Sequence, residues 1–108
     1  MAYKFKMTNI LNYKEQLERE KKDAFGEISA LYNKELEILH VFEKEKVSAI
    51  QNQNLAKRGN DIGEIQAYQK YIKSLTDKIL TQTQLLQKIA VELDHAKQEM
   101  LIAMQEKK

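Results

Sequence analysis

The chain has 108 residues, enough for one small domain, with no proline, no cysteine, no tryptophan and only 3 glycines. A globular fold with many turns needs Gly and Pro, so few chain reversals are possible. A net charge of +2 argues for neither nucleic acid nor an acidic membrane as partner. The absence of cysteine excludes a disulfide framework and a cysteine nucleophile.

The charged residues, 31% of the chain, alternate in sign along runs such as Glu18-Arg19-Glu20-Lys21-Lys22-Asp23 and Glu43-Lys44-Glu45-Lys46. Mixed signs on a helix mean a solvated, salt-bridged face. With a mean hydropathy of −0.62, the composition is that of a long helix burying one narrow stripe. No apolar run reaches the roughly 20 residues of a membrane span, and Met1-Ala2-Tyr3-Lys4-Phe5-Lys6 is not followed by a signal-peptide stretch. Cytoplasm is the expected location, without direct membrane insertion.

The first predicted helix covers about residues 4–54. Ile10, Leu17, Ala24, Leu31 and Ile38 stand seven apart, and Ile28, Phe42 and Ala49 share the alternate stripe with Lys14, Lys21 and Glu35. Leu11, Phe25, Tyr32 and Leu39 broaden the apolar face. Gly26 interrupts the helix at a cost of about 1 kcal/mol relative to Ala.

A loop follows over about 55–61, within the only stretch rich in turn chemistry. Gly59 is suited to a left-handed conformation after a helix end. Asp61 and Glu64 have the spacing of a capping box that starts the next helix.

The second helix, about 62–107, carries the strongest pattern in the chain. Ile65, Ile72, Ile79, Leu86, Leu93 and Met100 alternate with Tyr68, Leu75, Gln82, Ile89, Ala96 and Ala103 in an unbroken heptad seam. The expected fold is all-α: one long antiparallel two-helix coiled-coil hairpin. Folding about Arg58/Gly59 sets Leu75 against Phe42, Ile79 against Ile38, Leu86 against Leu31, Ile89 against Ile28 and Tyr68 against Ala49. It also places polar Gln82 with polar Glu35, a buried layer that fixes register at some cost in stability. Toward the open end Ala96 meets Lys21 and Ala103 meets Lys14, whose stems cover the seam. Such arms span about 70–80 Å at helical rise. Residues 1–8 overhang the second helix, which predicts that the natural helix continues past Lys108 or that Tyr3, Phe5 and Met7 bind something else.

Chemistry has little purchase on this pattern. Glu37-Ile38-Leu39-His40 and Glu92-Leu93-Asp94-His95 have the Glu-x-x-His spacing of di-metal bundles. The seam turns both histidines outward, however, and the hairpin register separates them by roughly 28 Å. Gly59 and Gly63 have no preceding strand and no P-loop lysine-serine pair. Ser29, Ser48 and Ser74 lack a base and its orienter. No catalytic residue, metal ligand or cofactor is expected. Tyr32, Tyr68 and Tyr71, on or beside the seam, suit either packing with wet hydroxyls or interface anchoring.

Two stretches resemble the flagellar export protein FliJ family: Tyr3-Lys4-Phe5-Lys6 with Ile10-Leu11-Asn12-Tyr13-Lys14, and Glu64 to Ile72 with Leu75 and Ile79. The tail from Leu93 to Met100 fits the family's later pattern, so the resemblance covers nearly the whole chain. It implies a two-helix stalk of the flagellar type III export apparatus, cytoplasmic and peripheral to the inner membrane. It also implies three partners: the hexameric export ATPase, the cytoplasmic domain of the export gate, and export chaperones. The family's second helix usually runs on to a basic tail, an extension this chain lacks. By analogy, Tyr3, Phe5, Met7, Ile10, Leu11, Met100 and Met104 would meet the ATPase, and Phe42, Tyr68, Gln69, Tyr71 and Ile72 the gate. The rival expectations are a homo-oligomeric structural coiled coil and the equivalent stalk of a virulence secretion system.

Overall fold

The computed structural model describes residues 2–107, with side chains for residues 6–106. It contains two helices, α1 over Ala2–Arg58 and α2 over Ile62–Lys107, and no strand among the described residues. The fold is an all-α helical hairpin. Neither helix meets a proline, and α1 crosses only Gly26, which explains their uninterrupted lengths. No helix of the described residues is long and apolar enough to cross a membrane.

The connection is three residues, shorter than the loop expected over 55–61, because α1 runs on to Arg58. Its geometry also corrects the glycine assignment. Asn60, not Gly59, takes the left-handed conformation, with φ 59°. The amide of Asp61 reaches the Ala56 carbonyl at 3.4 Å and that of Asn60 reaches Lys57 at 3.3 Å. These two bonds form a Schellman ending with Asn60 at its left-handed position, where asparagine is the usual substitute for glycine. Asp61 then caps α2: its Oδ1 accepts the Glu64 amide at 3.1 Å. Lys57 and Arg58 in the last turn of α1 and Glu64 in the first turn of α2 match the helix dipoles.

The chain divides into two compact units, one of residues 33–87 and one of residues 1–32 with 88–108. In the first, which contains the turn, α1 and α2 pair antiparallel. Leu75, at 2% exposure, and Leu86 are its large buried apolar side chains, joined by Ala49 and Ala56. The expected polar layer is present. Gln82 Nε2 donates to Glu35 Oε2 at 2.7 Å and to the Glu35 carbonyl at 2.8 Å. Gln53 Nε2 ties the helices nearer the turn, donating to the Ile65 carbonyl at 3.3 Å. Half-buried Thr83 satisfies its hydroxyl within α2 on the Ile79 carbonyl.

In the second unit Ile89, Ala96 and Ala103 are buried, together with Glu18. Lys21 Nζ reaches Glu99 Oε2 at 2.8 Å and Lys14 Nζ reaches the Glu106 carbonyl at 3.2 Å. Each acceptor lies three residues beyond the alanine expected opposite that lysine. Side chains lean toward their own helix's N-terminus, so a lysine of α1 reaches higher numbers on an antiparallel α2. The lysine heads are therefore bound, and not simply released to water.

Every seam residue of α2 from Ile65 to Ala103 is buried or half-buried. For α1 the expected alternate stripe is covered, but of the stripe from Ile10 to Ile38 only Leu17 and Ile38 are half-buried. Ile10 and Ala24 are exposed, and Leu31 is 43% exposed. The covered stripes are Lys14, Lys21, Ile28, Glu35, Phe42, Ala49 and Ala56, and beside it Glu18, Phe25, Tyr32, Leu39, Lys46 and Gln53. Turning this way covers Phe25 and Tyr32 in preference to Ala24 and Leu31, and aromatic rings carry more area than those residues do.

Gly26 is exposed, and a methyl group added there would meet nothing within 4 Å. Gly26→Ala is therefore expected to stabilise the protein by about 1 kcal/mol, by restoring helix propensity without a clash. A higher urea midpoint at unchanged slope is the measurement that checks it.

Candidate interaction surfaces

The residues expected to meet an ATPase divide by exposure. The Tyr3 and Phe5 side chains lie outside the described residues. Met7, Ile10 and Leu11 on α1 are 47%, 54% and 49% exposed. Met7 and Leu11 stand seven residues before Lys14 and Glu18, so they continue the covered stripes of α1 into open surface. Met100 and Met104 on α2 are half-buried and already belong to the packing of their unit. Tyr13, Leu101 and Ile102 add exposed apolar surface that the heptad reading did not single out. They lie off the seam, where periodicity gives no signal. Residues 1–14 and 100–108 carry five lysines and one acidic residue, a sharper positive balance than the +2 of the whole chain.

The residues expected to meet an export gate lie in the unit that holds the turn, but not on one surface. Tyr68 and Tyr71 line a shallow recess with Glu45, Ser48, Ala49 and Asn52, so Tyr68 and Ala49 come together as the register required. The Tyr71 hydroxyl donates to Glu45 Oε2 at 3.3 Å. Partial desolvation, and then the neighbouring Glu45 carboxylate, push the Tyr71 phenol above its ordinary range. Gln69 lies in a different recess, with Gln66, Lys70 and Lys73. Phe42 and Ile72 are half-buried seam residues, and the Lys78 ammonium stands 5.8 Å from the Phe42 ring centroid. Of these five expected gate residues, only Tyr71 combines substantial exposure with a place in the tyrosine recess.

Both histidines are exposed, as the seam geometry required. His95 Nε2 lies 2.9 Å from Glu99 Oε1 one helical turn away. Among the described residues no group of three or more His, Asp or Glu side chains is placed to hold a metal ion.

Glu99 thus serves two neighbours. Its hydrogen bond from Lys21, and then the Lys21 charge, hold its carboxyl below the ordinary 4.5. The same bond raises the Lys21 ammonium above 10.5. Folding favours the charged form of both groups. Their contribution is complete above the unfolded carboxyl value and is lost as pH falls through the lower folded one. At the alkaline end it is complete up to about 10.5 and is lost as pH rises through the higher folded value of Lys21. Glu99→Gln is expected to flatten the acid limb of stability below pH 4.5. Parallel stability curves for the variant and the parent would contradict this. Both side chains are more than a third exposed, so solvent screening keeps the effect small.

Glu18 is the functional-looking residue that the sequence reading passed over. It is 8% exposed, and its Oε1 accepts from Lys22 at 3.0 Å. The signal was there: Leu11, Phe25, Tyr32 and Leu39 are spaced so that Glu18 fills the gap between the first two.

No family model, no curated protein and no solved structure matches this chain.

Proposed function

We propose that the chain is a non-catalytic stalk or adaptor that works by binding other proteins, in the manner of the flagellar type III export apparatus. The observation that carries this reading is the exposed run of Met7, Ile10 and Leu11, where the covered stripes of α1 extend beyond their packing. Apolar side chains on seam positions are the means by which one helix engages another. The stretches resembling the export family supply the choice of system: this exposed end for the hexameric export ATPase, and the Tyr71 recess for the cytoplasmic domain of the export gate. Export chaperones complete the partner set.

The test is a paired binding measurement with the purified ATPase and the gate domain. Met7→Glu with Leu11→Glu is expected to weaken ATPase binding at least tenfold, because burying two carboxylates opposes an apolar contact. Circular dichroism of the variant should stay helical, since both side chains are exposed. Tyr71→Ala is expected to weaken gate binding more than ATPase binding. Unchanged ATPase affinity in the double variant would overturn the assignment of this end.

A further inference from the structure

The unit formed by residues 1–32 and 88–108 is held in an unusual way from Leu93 outward. Its buried side chains there are two alanines, Ala96 and Ala103, and one glutamate, Glu18. Leu17, Phe25, Leu93, Met100 and Met104 are only half-buried. Alanine contributes little area, and a lysine stem crossing it contributes less than a leucine would. What spans the two helices is polar: Lys21 to Glu99 at 2.8 Å, and Lys14 to the Glu106 carbonyl at 3.2 Å. The lysine and glutamate of the ion pair are 35% and 39% exposed, so water and salt reach it. Segments with little buried apolar surface open at free energies well below that of global unfolding.

We propose that residues 14–24 of α1 and 96–106 of α2 form a clasp that opens and recloses as one segment while the rest of the chain stays folded. The Lys21–Glu99 pair and the Lys14 bond hold it shut in place of a packed core. Opening uncovers Lys14, Leu17, Glu18 and Lys21, next to the Met7–Leu11 surface, and so enlarges the helix face that a partner can pair with. The inference rests on packing alone and is independent of the export reading.

Hydrogen exchange of the full chain, read by residue-resolved NMR or mass spectrometry, tests it. Amides of 14–24 and 96–106 are expected to exchange at least tenfold faster than those of 35–49 and 68–86. Glu99→Gln is expected to speed the first set about two- to fivefold, the range of an exposed ion pair, and to leave the second set unchanged. One molar sodium chloride should do the same to the parent protein and add nothing in the variant. Lys14→Leu with Lys21→Leu replaces the polar contacts by apolar packing on the alanines, and should slow the clasp amides toward the protection of the second set. Equal protection of both sets in the parent, or an equal response of both to Glu99→Gln, would overturn the proposal, because either shows one cooperative unit and no separate clasp.

Discussion

Leu75→Ala is expected to destabilise the protein by about 2–4 kcal/mol, the largest loss available from a single truncation among its apolar residues. Leu75 is 2% exposed, less than any other buried side chain of the described residues. Its removal forfeits the transfer free energy of the missing carbons and the contacts of the atoms around them. A helical pair has one seam and no second layer that could close over the gap. The loss would be a large fraction of the roughly 5–15 kcal/mol that domains of ordinary size possess. Leu80, five residues on but 58% exposed, is the control: Leu80→Ala is expected to change stability by less than about 0.5 kcal/mol. Urea unfolding of the two variants checks the contrast. Similar losses at both positions would mean that α2 presents a different face to α1.

The contrast between Leu75 and Leu80 also shows how far the sequence could be read. A strict heptad over α2 identifies its covered face residue by residue, because one wrong register would expose every large side chain at once. α1 has no such constraint. Its apolar residues fall on three neighbouring stripes, and polar Lys14, Lys21 and Glu35 interrupt one of the two that are covered. Counting apolar members favours the whole stripe from Ile10 to Ile38, yet the fold exposes its Ile10, Ala24 and Leu31 and half-buries Phe25 and Tyr32 beside a buried glutamate. Ring area and polar partners across the seam decide this, and neither is visible in periodicity. The turn departs from its expectation for a similar reason. Glycine is the usual left-handed residue, but the Schellman bonds place that position one residue later, at Asn60. The surfaces are less legible still. Tyr68, Gln69 and Tyr71 are neighbours in sequence, yet helical geometry sends Gln69 to another recess, with Gln66 and Lys73.

The second large effect is expected at the layer of Glu35 and Gln82, where the sign depends on how many partners are changed. Gln82 is 8% exposed and gives both its hydrogen bonds to Glu35. Gln82→Leu removes these donors and sets an apolar side chain against a half-buried carboxylate. The expected cost is about 1–3 kcal/mol, because the charged acceptor keeps its desolvation penalty and loses its compensation. Glu35→Leu alone is expected to cost less, because the Gln82 amide loses its carboxylate acceptor but keeps its 2.8 Å bond to the main-chain carbonyl of residue 35. The double variant removes both polar groups and closes the layer with two leucines, so its stability is expected to match or exceed the parent. The coupling in this double-mutant cycle should therefore be at least about 1 kcal/mol and favourable. Stability is not the only readout. A polar pair in a seam penalises every register that separates it, and an all-apolar seam does not. The double variant is expected to populate more than one register or association state. This would appear as broadened interhelical distances between spin labels at Lys34 and Gln84, and as added species in sedimentation. A double variant that is both more stable and confined to one register would show that the turn at Gly59–Asp61 sets the alignment without help. Additive losses in the cycle would show that the two side chains do not depend on each other, contrary to the 2.7 Å bond between them.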